Sequence, residues 1–178
     1  MKVDMIDSMG SDLSVVNAAR VSFHKESRWE KNIPARDRYE LSDRDEKLIK
    51  YLAEHNHWSP FSHASLQFRI KAPIFVARQL VKHQVGLAWN EVSRRYVDDE
   101  PEFYMPHVWR KRPHKSIKQG SSDETIIYDI ASTMQYVLQT YKNLLEANVA
   151  PEMARMVLPQ NMYTEWFWSG SLYAFARV

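Results

Sequence analysis

The 178-residue chain contains no cysteine. That absence excludes a disulfide framework, a thiolate zinc site, an iron–sulfur cluster, a CxxC redox centre and any chemistry opened by a cysteine nucleophile. An excess of charge of one sign is missing as well. Lys and Arg number 24 against 22 Asp and Glu, and the formal net charge of +2 is too small to demand a polyanionic partner. No stretch approaches the about 18 uninterrupted apolar residues of a membrane span, and the opening MKVDMIDSMGSD places charges where a signal peptide needs an apolar run. A soluble, cytoplasmic protein with no membrane partner is therefore expected. Only 4 glycines occur, and neither G-x-G-x-x-G nor G-x-x-x-x-G-K-[ST] is present, so any phosphate would be held by side chains rather than by a glycine-rich cradle. Internal repeats and low-complexity stretches are also lacking.

What is present suffices for one domain spanning 1–178, at about 100–200 residues per domain. A chain of this length buries about 70% of its unfolded surface, and 6 Trp, 9 Tyr and 7 Phe supply bulky material for the core. Val3 and Met5, and the alternating Leu66, Phe68 and Ile70, read as half-buried strands, because side chains two apart share a sheet face. Ser11 is placed to cap a helix carrying Val15, Val16 and Ala19; Ser42 with Asp45 forms a capping-box variant ahead of Leu48, Ile49 and Leu52. Pro73 suits the first turn of a third helix. Ser121 and Glu124 read as a capping box for a long core helix built on Ile127, Ile130, Ala131, Met134, Leu138, Tyr141 and Leu145. Residues 97–120, with Arg110, Lys111, Arg112, Lys115 and Lys118, read as an extended connection, either a solvated loop or a nucleic-acid arm.

Three constellations could carry chemistry. The first, HNHWSPFSH, puts His55, His57 and His63 within nine residues, a candidate three-nitrogen metal face or, equally, capping and packing histidines. The second runs from Arg78 to Asp99. On one helix, Gln79 and His83 would share a face at i and i+4, with Arg78 and Lys82 on the adjacent one. Gly86 permits a turn, and Asn90, Glu91, Ser93, Arg94, Arg95 and Tyr96 then follow almost without filler. Such a mixture suits a phosphorylated, amide-bearing ligand such as a nucleotide, since Arg and Lys neutralise phosphate while Gln, Asn, Ser and Glu read donor and acceptor edges. Intramolecular salt bridges on a charged helix and loop are the alternative. In the third, PEMARMVLPQNMYTEWFWSGS, Glu152 and Arg155 lie three apart, as in a surface ion pair of about 0.2–0.5 kcal/mol. Trp166, Phe167, Trp168 and Tyr173 read as core or as walls of a planar-ligand site.

The blocks MGSDLSVVNAARVSF (9–23), HWSPFSH (57–63), APIFVARQLVKH (72–83), NEVSRRY (90–96) and ARMVLPQNMYTEWFW (154–168) together resemble the flavin-dependent thymidylate synthase family, in family order along the chain. The central block is similar to the family signature RHRxxSxNExSxRY. The resemblance implies an α/β (α+β) fold with a curved, largely antiparallel sheet flanked by helices, and a homotetramer whose active sites draw on several subunits. It further implies methylation of dUMP to dTMP with methylenetetrahydrofolate as one-carbon donor and NADPH as reductant, acting through FAD, and no nucleic-acid partner. The cofactor then supplies the redox chemistry and the protein supplies orientation and electrostatics. No protein nucleophile and no metal are expected.

Carried over by position, Gln79, Glu91, Ser93, Arg95 and Arg155 are the expected dUMP-binding residues. The expected FAD-binding residues are His57, Ser59, Lys82, His83, Gln84, Val85, Asn90, Glu91 and Ser171. The chain also departs from the pattern. Lys82 and Gln84 stand where the signature has arginines, and KHQVGLAWNE is one residue longer than RHRxxSxNE, which leaves no hydroxyl at Leu87 or Ala88. Ser62 replaces the acid common after SPF, and Ser171 and Tyr173 replace an Asn and an Arg that often contact flavin. The family continues past ARV through a segment with a nucleotide-binding arginine, so a shortened member that binds ligands without turnover is a further expectation, beside a basic nucleic-acid-binding module and a histidine-metal hydrolase. Within this resemblance the missing cysteine gains meaning, because the other, unrelated thymidylate synthase class attacks dUMP with one.

Overall fold

A computed structural model describes residues 1–32 and 38–178. In chain order the elements are β1 (Lys2–Met9), α1 (Asp12–Arg20), β2 (Glu30–Asn32), β3 (Arg38–Glu40), α2 (Asp43–Glu54), β4 (Ser65–Pro73) and α3 (Ile74–Leu80). They continue with β5 (Leu87–Glu91), β6 (Trp109–Arg110), β7 (Thr125–Ile126), α4 (Ala131–Glu146), α5 (Pro151–Ala154), β8 (Tyr163–Ser171) and α6 (Leu172–Phe175). The main sheet is open, with the order β1-β4-β8-β5. Its outer pairs are antiparallel, Lys2↔Lys71 through Met9↔Ser65 on one side and Leu87↔Gly170 through Glu91↔Trp166 on the other. This is the mixed, antiparallel-sheet α+β class that the family resemblance implies.

Two compact units make up the chain. The first comprises Met1–Lys71, Gln79–Glu91 and Glu165–Val178. Its core joins Val15 and Val16 of α1, Leu52 of α2, Ile70 of β4 and Trp166 and Trp168 of β8. The helix starts fall where the sequence puts them. Ser42 Oγ accepts from the Asp45 amide at 3.3 Å, and the Ser11 amide donates to Ser14 Oγ at 3.1 Å. Leu66 and Phe68 are half-buried and Ile70 is buried, as the alternation requires. Val3 and Met5 do lie on a strand, but both are exposed, because β1 is an edge strand whose register shifts between Met5 and Asp7.

One polar group is sunk into this unit. Asp45 is buried at 3% exposure and accepts from three residues. Arg20 Nε reaches its Oδ1 at 3.0 Å with Nη2 of the same guanidinium alongside, Ser27 Oγ reaches Oδ1 at 3.0 Å, and Ser42 Oγ reaches Oδ2 at 3.0 Å. Burial pushes this carboxyl up, but the hydrogen bonds from Arg20, Ser27 and Ser42, with the Arg20 charge, outweigh it and hold the group below its ordinary value.

The second unit comprises Ala72–Arg78 and Val92–Thr164. Pro73, Ala77, Tyr141, Ala154 and Met162 are buried in it. Backbone bonds tie its segments, with the Ile74 amide on the Met162 carbonyl at 2.9 Å and the Tyr104 amide on the Asn161 carbonyl at 2.8 Å. Pro73 is not in the first turn of the helix as the sequence suggests: it is the last residue of β4, and α3 starts at Ile74.

Here the structure corrects two readings. The capping box at Ser121 and Glu124 is not used. The helix begins at Ala131, whose amide is taken by Asp129 Oδ1 at 2.8 Å, while Thr125 and Ile126 pair with Trp109 and Arg110 and Ile127 is 88% exposed. From Met134 onward the periodicity is right, since Met134, Leu138, Tyr141 and Leu145 face inward, but Tyr141 alone is fully buried and the helix is a half-covered one. The stretch 97–120 is likewise not wholly irregular. The β6–β7 ladder closes a basic hairpin in which Lys111 pairs with Glu124 at 2.9 Å and Arg110 approaches Asp123 at 3.9 Å. No helix among the described residues is long and apolar enough to cross a membrane.

Candidate functional site

The α3 helix ends at Leu80, earlier than the i, i+4 reading needs, so Gln79 and His83 do not share a helix face. Instead the chain turns twice, with the His83 amide on the Leu80 carbonyl at 3.0 Å and the Leu87 amide on the Gln84 carbonyl at 3.2 Å. Gly86 closes the second turn at φ +75°, where a side chain would be strained, and a Cβ there would lie 3.1 Å from that of Ala174. Opposite it, a Cβ on Gly170 would lie 2.5 Å from the Gly86 carbonyl oxygen. These two glycines let β8 and the Lys82–Gly86 turn approach backbone to backbone. Gly170→Ala is expected to lower stability by about 1–3 kcal/mol, as added atoms do in a packed site, measured by urea unfolding.

That turn lines a cleft of about 620 Å³. Lys82, His83, Gln84 and Val85 form one side, and Ser171, Tyr173, Trp58, Ser62 and Arg177 stand around the rest. Trp58 and Tyr173 lie with ring centres 5.5 Å apart, and Arg177 Nη1 donates to the Tyr173 hydroxyl at 2.8 Å. The cleft thus offers an aromatic wall, two cations and an exposed turn, a set suited to a planar, anionic ligand. Ser171 Oγ also accepts from the Ala174 amide at 3.2 Å, which caps α6 and fixes the serine.

His57 lies beside this cleft, in a cavity of about 430 Å³ that shares Trp58, Tyr173 and Arg177 with it. On its other side His57 joins Ser59 in a space of about 600 Å³ that Lys25 and Arg44 also line. His55 is stacked on Tyr51 at 4.0 Å and its Nδ1 is bonded to the Tyr51 carbonyl at 2.9 Å, a packing role. Among the described residues no three His, Cys, Asp or Glu are grouped to hold a metal, so His55, His57 and His63 do not make the three-nitrogen face.

The expected nucleotide residues fall on both units. Gln79 is exposed in the first, and its Oε1 lies 3.5 Å from Lys82 Nζ. Asn90 and Glu91 end the edge strand β5, and the register sends them to opposite faces, Asn90 with Phe167 and Glu91 with Trp166. Glu91 Oε2 accepts from Trp89 Nε1 at 3.1 Å. Trp89 is itself stacked on Trp166, ring centres 4.4 Å apart, and meets Trp168 edge-on at 5.7 Å. In the second unit Arg95 is exposed, donates from its Nε to Ser93 Oγ at 3.2 Å and lies 5.1 Å from the Tyr96 ring. Its neighbour Arg94 is turned inward and occupied by Asp99, whose carboxylate lies 3.0 Å away. Arg155 is exposed, and its Nε donates to the Glu152 carbonyl at 3.2 Å rather than to the Glu152 carboxylate.

The structure therefore gathers Lys82, His83, Gln84, Val85 and Ser171 in one cleft, sets His57 beside it and Ser59 one cavity further, and pairs Ser93 with Arg95. Sequence reasoning passed over Trp58 and Arg177, which line the cleft, and Trp89, which bonds Glu91. The signal for Trp58 was its place inside HWSPF; an arginine four residues after Tyr173 was the signal for Arg177.

Residues 4–178 match the family model described as thymidylate synthase complementing protein. A flavin-dependent thymidylate synthase from Thermotoga neapolitana is 41% identical over 167 residues, which cover 94% of this chain and 69% of that protein. Another from Kosmotoga olearia is 42% identical over 174 residues, covering 94% of this chain and 70% of that one. Among solved structures, a UMP/dUMP methylase PolB from Streptomyces cacaoi bound with 5-Br dUMP is similar at TM-score 0.74 and 31% identity, covering 97% of this chain and 74% of that chain.

Proposed function

The chain belongs to the thymidylate synthase complementing protein family, and on that footing we propose that it is a flavin-dependent thymidylate synthase that methylates dUMP to dTMP. Methylenetetrahydrofolate is the one-carbon donor in this reading, NADPH the reductant, FAD the resident cofactor, and the cytoplasm the place of action.

The observation that carries it is the cleft beside the Lys82–Gly86 turn. Its residues suit a flavin. Lys82 and Arg177 offer positive charge, Trp58 and Tyr173 offer ring faces, and Gly86 with Gly170 leaves the turn close to β8. Lys82, His83, Gln84, Val85 and Ser171 would hold it, with His57 in the adjoining cavity, while Ser59, Asn90 and Glu91 are proposed FAD contacts from outside this cleft. A bound flavin supplies hydride and electron transfer, which no side chain of this chain can provide.

The residues of the chain do the rest by binding and orientation. Arg95 and Arg155 neutralise the phosphate of dUMP, while Gln79, Glu91 and Ser93 read its polar edges. Ser93, within hydrogen-bond reach of Arg95, limits the rotamers the guanidinium must give up on binding. Assembly as a homotetramer with shared sites belongs to the same reading. Val85 at 94%, Phe23 at 74% and Met156 at 73% exposure are apolar side chains that a partner subunit would cover.

The test is direct. Protein loaded with FAD and given dUMP, NADPH and methylenetetrahydrofolate is expected to be yellow and to form dTMP. Colourless protein that cannot be reconstituted with FAD and forms no dTMP would refute the reading. Yellow protein that binds dUMP without forming dTMP would restrict it to ligand binding.

A further inference from the structure

From the β5 strand we infer that Trp89 is a positioning residue for dUMP, acting through Glu91; the inference rests on the reading of Glu91 as a nucleotide ligand. Residues 89 and 91 are two apart on one strand and so share a face. That face is rich in indole, because the register sets Trp89 against Trp168 and Glu91 against Trp166. Glu91 is exposed at the end of that face, where a glutamate side chain is otherwise free to choose its rotamer, and a fixed donor defines where its carboxylate points. Trp89 supplies one, Nε1 to Oε2 at 3.1 Å.

This donor is held firmly. Trp89 is stacked on Trp166, which is 1% exposed, and meets Trp168, which is 5% exposed, so its ring has no freedom to swing away from Glu91. The Nε1 atoms of Trp166 and Trp168 are buried without a hydrogen-bond partner, whereas that of Trp89 is turned to the strand end and to the acid. Three indoles thus share one cluster, and only one of them spends its N–H on a site residue. An indole donor cannot ionise and has no acceptor capacity, so it offers the carboxylate one fixed anchor at Oε2 at every working pH. A nucleotide base bound there meets an acceptor already in place, without the ordering cost of a free glutamate side chain.

A double-mutant cycle on the full-length protein, read by calorimetric dUMP binding, tests this. Trp89→Phe keeps a ring in the cluster and removes the N–H. It is expected to weaken dUMP binding about tenfold, the worth of one hydrogen bond to a charged group. On a Glu91→Ala background, which removes the acceptor altogether, the same change is expected to alter affinity less than twofold. Equal weakening in both backgrounds would overturn the inference, since the indole would then act by packing alone. Undiminished dUMP binding by Trp89→Phe would overturn it too. Should Trp89→Phe fail to fold, benzothienylalanine at position 89, which replaces N–H by sulfur within the same shape, carries the comparison with the same outcomes. Failure of the unmodified protein to bind dUMP would refute the functional reading and this role together, whereas binding without Trp89–Glu91 coupling refutes this role alone.

Discussion

Asp45→Ala is expected to lower folding stability by about 3–5 kcal/mol, the cost of breaking a buried pair by removing one partner. The carboxylate is 3% exposed and its guanidinium partner Arg20 has a side chain only 12% exposed, so the deletion leaves a cation with little water to turn to. Ser27 and Ser42 lose their acceptor in the same stroke. The α2 helix feels this directly, because Ser42 caps it. Asp45→Asn keeps the shape but sets an amide against a guanidinium, and an intermediate loss is expected. The pH dependence follows from the lowered carboxyl. A group whose folded value lies below its unfolded one adds stability above the unfolded value and loses it as pH falls through the folded one. The gap between wild type and Asp45→Asn in urea should therefore be full at neutral pH and close as pH drops below 3.8. A gap that stayed constant down to acid unfolding would show that the charge is not what holds the network.

That network illustrates what a sequence leaves out. Ser42 and Asp45 were legible as a local cap because the capping spacing is written along the chain. That the same Asp45 also gathers Arg20 and Ser27, 25 and 18 residues away, is set by tertiary packing and has no local signature. The strands β1 and β4 and the helices α1 and α2 were readable for the same reason, each carrying its own period or cap. The start of α4 was not. Ile127 and Ile130 fit the helical period by spacing alone, but Thr125 and Ile126 go to a two-residue ladder with Trp109 and Arg110, and that competing pairing decides the boundary. The site divides likewise. Lys82 to Val85, as consecutive residues before a glycine, could be expected to line one surface. The opposite wall, with Trp58 and Arg177, comes from segments far apart in sequence and is joined only by the fold.

Arg94 and Arg95, adjacent in sequence, separate in the same way, and their substitutions are expected to have opposite effects. Arg95 is exposed, has Ser93 Oγ as a neighbour and presents its charge beside the Tyr96 ring. Arg94 has a side chain 13% exposed and is committed to the Asp99 carboxylate and carbonyl. Arg95→Ala should weaken dUMP binding by about 2 kcal/mol or more, roughly 30-fold, as expected for a charge-assisted bond to phosphate, with little change in melting temperature. Arg94→Ala should lower the melting temperature while leaving dUMP affinity near that of the wild type. The phosphate is the proposed partner, so deoxyuridine, which lacks it, should bind Arg95→Ala and wild type alike. Arg95→Lys should recover part of the loss, since the point charge remains and the bidentate fork does not. The wild-type advantage should also shrink as salt is raised, because an exposed ion pair is screened over about 8–10 Å at ordinary ionic strength. Equal loss of dUMP and deoxyuridine would instead place Arg95 on the base or sugar. A fall in melting temperature with intact affinity would make it a structural residue like its neighbour.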